Sequence, residues 1–176
     1  MFRLTLISLV LSCCLSNQAR AASDIEVAGD WIQILIPSIA YSTTLYLDDE
    51  EGEKQMYQSF FTNTGITFAL KFTVGRERPD GSNNRSFPSG HTSAAFQGAS
   101  FIHARYGWEY AIPAYIGASF VGYSRVYANK HFTSDVLAGA VIGTISSFYF
   151  ATPYKGVSIS PTANNGQYGL QVNTTW

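Results

Sequence analysis

Only two cysteines occur in this chain of 176 residues, Cys13 and Cys14, and they are neighbours near its start. A disulfide framework is therefore excluded, and so is thiolate chemistry if the first segment is removed. Histidines number three, His91, His103 and His131. Apart from the pair His131 and Asp135, no group of His, Asp and Glu has the spacing of a metal site. Charge is sparse, at 13% of residues, and the net charge is −1, so there is no basic surface for nucleic acid. What fills the chain instead is apolar and aromatic: 46% hydrophobic and 15% Phe, Trp and Tyr. The length suits one domain with its own core.

The first 22 residues read as an export signal. Arg3 is the positive flank, residues 4–15 form a short apolar run, and Ala19-Arg20-Ala21 is a small-x-small cleavage site with cutting near Ala21 or Ala22. The alternative is an uncleaved membrane anchor, for which the run is short. Residues 23–156 then read as one all-α domain, a helical bundle of about five core helices. A polar lead over 24–30 is followed by helices expected over 31–47 (interrupted at Pro37), 55–74, from Ser89 or Ser93 to 106, over 110–123, and from His131 to 150. The acidic stretch 48–53 reads as a solvated turn. Gly139 and Gly143 in the last helix have the small-xxx-small spacing that lets another helix come close. Residues 157–176 alternate Tyr168, Leu170, Val172, Thr174 and Trp176 with small and polar residues after Asn165-Gly166, which predicts a C-terminal β-hairpin packed on the bundle or on a partner.

Three segments carry chemistry. Lys71 and Arg78 lie seven apart, two helical turns, with Pro79 ending the helix. Pro88-Ser89-Gly90-His91 opens a helix, whose free N–H groups and positive dipole end suit an anion, while Gly90 admits close approach. His91 is placed to protonate a leaving group. In the third segment Arg125 supplies a planar, permanent cation for phosphate oxygens. His131 and Asp135, if helical, share a face one turn apart, so the carboxylate can hold one ring nitrogen and leave the other as a nucleophile. Three cations, a helix N-terminus and two histidines make a site of many donors and few acceptors, which is what phosphoryl transfer requires. His103 reads as structural, and Arg76, Arg85 and Lys130 as rim charges.

In these three segments the chain resembles the type-2 phosphatidic acid phosphatase superfamily, which includes bacterial class A acid phosphatases, lipid phosphate phosphatases and vanadium haloperoxidases. The segments are Lys71-x6-Arg78-Pro79, Pro88-Ser89-Gly90-His91 and Ser124-Arg125-x5-His131-x3-Asp135, in order and without a missing residue. The resemblance implies that His131 attacks phosphorus and becomes a phosphohistidine, that Asp135 orients it, and that His91 protonates the leaving oxygen and later activates water. It implies that Lys71, Arg78, Arg125, Ser89 and the Gly90 amide bind the phosphate oxygens. No metal or other cofactor is implied, although vanadate or phosphate would fit the oxyanion site. The expected activity is hydrolysis of phosphate monoesters or of lipid phosphates and pyrophosphates, with a phosphorylated small molecule or lipid as substrate and no nucleic-acid partner. The expected place is the periplasm or cell envelope. Dilution of the uncharged runs by polar residues favours a soluble or peripheral form over one embedded in the membrane with its active site facing the periplasm. A vanadate-dependent haloperoxidase and a non-catalytic envelope protein of the same fold are the alternatives.

Overall fold

A computed structural model describes residues 2–154, 157–164 and 167–174, with side chains described between residues 24 and 154. Five helices follow one another: α1 (Phe2–Tyr46), α2 (Glu50–Val74), α3 (Gly90–Tyr106), α4 (Trp108–Tyr127) and α5 (Thr133–Phe150). Two strands, β1 (Val157–Asn164) and β2 (Gln167–Thr174), pair antiparallel from Val157 opposite Thr174 to Asn164 opposite Gln167. The docking expected for this segment falls on side chains outside the described residues.

Several local expectations need correcting. The stretch 24–30 is not a lead: α1 is helical straight through it and through Pro37. The acidic segment is not a free turn, because α2 begins inside it. The Asp49 carboxylate accepts the Gly52 N–H at 3.0 Å as an N-cap, and Glu50, Glu51 and Glu53 occupy the first turn, where the helix dipole favours them. Asp49 also receives the Arg105 guanidinium and the Tyr106 hydroxyl, the latter at 2.9 Å. Arg105 reaches on to the Thr152 carbonyl at 2.8 Å, so a fully buried cation ties α2, α3 and the end of α5 together. At the other end α2 stops at Gly75, a left-handed cap with φ 57° that glycine adopts freely.

The central element is α3, which packs against all four other helices. Its buried face is made mostly of small and hydroxyl-bearing residues, with Phe101 and Ile102 as its large apolar members. Ser93 donates to Asn63 at 2.5 Å and pairs with Thr67 at 2.9 Å, and Gln97 donates to Ser59 at 2.8 Å, all on α2. On the other side the Gln97 carbonyl accepts Ser147 at 2.6 Å, and Ser100 meets Thr144 at 3.1 Å. Gly139 and Gly143 of α5 make that approach possible: a Cβ on Gly143 would lie 2.3 Å from the Ser93 carbonyl, and one on Gly139 would lie 2.5 Å from that of Ser89. Small apolar clusters fill the remainder, one around Ile36, Ala95, Ala99 and Val121 and one around Ala40, Met56, Phe101 and Ala111. Large apolar side chains point outward: Trp31 is 70% exposed, Phe61 67%, Ile116 67% and Leu137 62%.

Replacing Gly143 by valine must push α5 off α3. We expect a loss of about 3 kcal/mol, the upper end for overpacking, read as a lowered unfolding midpoint. A midpoint unchanged from the wild type would mean that the α3–α5 contact is looser than described.

Candidate active site

One end of the bundle collects the ends of α2 and α4, the starts of α3 and α5, and the loop between α2 and α3. A cavity of about 630 Å³ opens there, and Lys71, Arg78, Gly90, His91 and His131 all line it. The helix expected to carry both Lys71 and Arg78 ends at Val74, so Arg78 reaches the cavity from the loop instead. Among the described residues its Nε is buried without a hydrogen-bond partner, and so is that of Arg125. Two buried guanidinium N–H groups with nothing to bind are costly unless an acceptor arrives, and an oxyanion is the acceptor that fits.

Ser89 caps α3: its hydroxyl pairs with that of Thr92 at 2.9 Å and its N–H donates to the Asp135 carbonyl at 2.9 Å. The Ser89 hydroxyl therefore serves as the N-cap of α3. The N–H groups of Gly90 and His91, first in the helix, have no intrahelical acceptor and remain available to an anion. Lys71 donates to the carbonyls of Pro88 at 2.6 Å and Arg85 at 3.0 Å. Burial, and the nearby charge of Arg78, bring its pKa down to about 8, so it is still largely cationic at neutral pH.

The His131–Asp135 relation differs from the expected one. His131 precedes α5, whose N-cap is Phe132, so the two residues do not share a helical face. The nearest Asp135 oxygen stands 3.8 Å from His131 Nδ1, too far for a hydrogen bond. The partner of Nδ1 is the Ser86 carbonyl at 2.6 Å. A carbonyl can only accept, so the proton sits on Nδ1, and Nε2 keeps its lone pair as a nucleophile must. Asp135 acts one layer behind. Fully buried, it accepts Ser86 Oγ at 2.5 Å, the Phe132 N–H at 2.9 Å and Arg76 Nη1 at 2.7 Å. Arg76 is therefore not a rim charge: it neutralises Asp135, donates to Ser134 at 2.8 Å and covers the Phe132 ring at 4.0 Å. Lys130 and Arg85 do stay at the edge, on Asp80 at 3.0 Å and over Phe72 at 5.1 Å. His103 lies in the last turn of α3, among Trp108, Tyr115 and Phe148.

Arg125 is buried at the end of α4 and meets α1, where its Nη1 is 2.9 Å from Asp30 and its Nη2 is 3.6 Å from Glu26. The same Asp30 oxygen is 3.1 Å from His91 Nε2. Sequence motifs pointed to none of Arg76, Ser86, Glu26 or Asp30. The paired acids on α1, one turn apart in a helix that carries little other charge, were the only visible signal for the last two. Among the described residues no three His, Cys, Asp or Glu side chains gather as metal donors.

Burial first, then Lys71 and Arg78, push the His131 pKa down to about 4, against the opposing pull of Ser86 and Asp135. The folded value lies below the unfolded one, so the unfolded chain takes up the proton first as pH falls. Stability that is fully present above about 6.5 is lost progressively toward 4. NMR of the imidazole nitrogens should find His131 neutral and Nδ1-protonated at pH 7, with a midpoint near 4. A midpoint near 6.5 would contradict this environment.

The comparisons with known proteins agree with this geometry. Residues 55–156, which hold most of α2, all of α3 to α5 and every motif residue, match the model of the PAP2 superfamily. The chain is similar to lipid A 1-phosphatase of Porphyromonas gingivalis, 46% identical over 85 residues, which are 46% of this chain and 19% of that protein. It is also similar to lipid A 4'-phosphatase of Helicobacter pylori, 28% identical over 142 residues, 74% of this chain and 71% of that one. The chain thus spans about a fifth of the first of these relatives and about seven-tenths of the second. The crystal structure of Aquifex aeolicus LpxE shares the fold, with a TM-score of 0.55 at 23% identity over 72% of this chain and 92% of that one. With its helical core, its three motif segments and its oxyanion-ready cavity, the chain belongs to the PAP2 superfamily.

Proposed function

We propose that this protein is a metal-independent phosphatase of lipid phosphates or pyrophosphates that works through a phosphohistidine. The observation that carries the reading is the cavity. One end holds His131, Arg78 and His91; the rest is mostly apolar, walled by Ile34, Pro37, Tyr41, Met56, Phe60 and Phe68 between α1 and α2. A phosphate at the cationic end would lead its attached group into that apolar groove. Phosphatases of lipid A among the relatives point the same way.

In the reaction, His131 Nε2 attacks phosphorus while the bond to the leaving oxygen breaks, and His91 gives that oxygen its proton. Water then loses a proton to His91 and attacks the phosphohistidine, the P–N bond breaks, and inorganic phosphate leaves. Arg78, Arg125, Lys71 and the amides of Gly90 and His91 balance charge on the equatorial oxygens. Asp135, with Arg76, fixes the Ser86 carbonyl that orients the nucleophile.

We further propose that the enzyme works at a membrane of the cell envelope, with residues 1–22 as its export segment and 157–176 as a separate tail. Among the described residues no helix is long and apolar enough to cross a membrane. The outward-facing Trp31, Phe61, Ile116 and Leu137 favour a lipid neighbour all the same, because exposed apolar area on this scale marks a contact surface. Partition after salt and carbonate washing tells lipid contact from solution: protein released without detergent and free of lipid would overturn the membrane assignment.

Phosphate release should persist in EDTA and favour phosphatidic acid, lipid A or an isoprenyl pyrophosphate over p-nitrophenyl phosphate. His131→Ala should reduce it by about a thousandfold or more. The rate kcat/KM requires neutral His131 and protonated His91, whose pKa burial and Arg125 hold below its usual 6.5. It should therefore peak on the acid side, between about 4 and 6.5, and fall on both flanks. No release from any of these substrates, in buffer or in detergent, would remove the phosphatase reading and make vanadate binding the next test.

A further inference from the structure

Asp30 lies outside the three motif segments and outside the residues that match the family, yet it stands against both His91 and Arg125. It arrives there through the packing of α1 on α4. Gly29 lies so close to α4 that a Cβ on it would fall 2.0 Å from Ser124 Oγ, beside Arg125. The next residue then places its Oδ1 2.9 Å from Arg125 Nη1 and 3.1 Å from His91 Nε2; these are contacts of charge at ion-pair distance, without hydrogen-bond alignment among the described residues. Among the described residues it is the one carboxylate within 4.0 Å of His91.

The other charged neighbours of His91 oppose its proton. Arg125 comes from α4, Arg78 from the α2–α3 loop and Lys71 from α2. The ring is the second residue of α3, at the positive end of that helix, which also disfavours a cation. His131 lines the same cavity and is neutral above about pH 4, and Glu26, on α1, engages Arg125 rather than His91. A carboxylate set against a general acid surrounded in this way offsets part of the resulting proton loss.

We infer that Asp30 is a positioning residue for His91: its carboxylate stands against the imidazole and, while the phosphate site is empty, offsets part of the proton loss that burial and the surrounding cations impose. When a phosphate enters, its own negative charge takes over that task, and the carboxylate yields Arg125 to the incoming oxygens. The Asp30 side chain is 45% exposed, so it has room to do so. The catalytic consequence rests on the phosphatase reading; the effect on His91 does not.

NMR titration of the three histidines tests this without substrate. In Asp30→Asn the His91 midpoint should fall by about one pH unit relative to the wild type, the effect of losing one opposite charge at this range. Asp30→Glu should restore most of it, and Glu26→Gln should leave it in place. His103, in the last turn of α3, reports whether each variant is folded. For a variant that is not, the unaltered protein supplies the test: the Asp30 carboxyl carbon should show an inflection at the His91 midpoint. With active enzyme, the alkaline limb of kcat/KM in Asp30→Asn should move down by the same amount as the midpoint. An unmoved His91 midpoint in a folded variant, or no shared inflection in the wild type, would overturn the inference. So would an unmoved alkaline limb with a lowered KM, since Asp30 would then only compete for Arg125. Wild-type protein that releases no phosphate would count against the phosphatase reading and leave the titration result standing.

Discussion

The carboxylate of Asp135 holds this site together. It is buried completely, and a buried carboxylate is tolerated only when donors surround it. Three are supplied from three places: Arg76 after the left-handed cap of α2, Ser86 from the α2–α3 loop, and the amide of Phe132 at the entry to α5. The backbone carbonyl of the same residue takes the Ser89 N–H, so the start of α3 is fastened to it as well. One residue thereby sets the spacing between the loop that carries Arg78, the helix that begins at Gly90 and the turn that carries His131. Removing the carboxylate would leave Arg76 without its charge partner and would free the Ser86 carbonyl from its fixed position beside His131.

The bundle reverses the usual arrangement of polar and apolar residues. Serine, threonine, asparagine and glutamine bond across the α2–α3 and α3–α5 contacts, and glycine lets backbones meet, while tryptophan, phenylalanine, isoleucine and leucine line the outside. Dispersion and hydrogen bonding at close range hold such helices together, with less help from burial of large side chains. The apolar groove follows from the same arrangement. Where α1 and α2 diverge, their apolar faces are left to line a space that is continuous with the cations at its end.

The number of helices and the position of the site were legible because they rest on strong local signals. The Pro-Ser-Gly-His turn opens α3 at the N-cap that its serine implies, Gly107 ends that helix, and the pair Gly139 and Gly143 meets α3 as its spacing indicates. What was illegible depends on partners far along the chain. Arg76 looked like a solvated charge because Asp135 is 59 positions away, and Arg105 was inconspicuous because its carboxylate, Asp49, lies in an acidic stretch that resembles a surface turn. The stretch 24–30 was misread for a simpler reason: charge at the end of an apolar run looks like a boundary, whereas here Glu26 and Asp30 answer a buried arginine 99 and 95 residues later. Backbone acceptors have no sequence signature at all, so the Ser86 carbonyl could be found only in three dimensions.

That carbonyl changes how the imidazole would behave as a leaving group. A carboxylate bonded to Nδ1 could withdraw its proton once phosphorus was attached to Nε2, leaving a neutral phosphoimidazole whose P–N bond is slow to break. A peptide oxygen cannot take the proton, and Asp135, held at 3.8 Å by its three donors, is near enough to stabilise positive charge on the ring but too far to accept it through a direct bond. On the phosphatase reading the covalent intermediate would remain a cation throughout its life. The geometry that prepares the histidine for attack would then also weaken the bond that attack creates, so that water could finish the cycle.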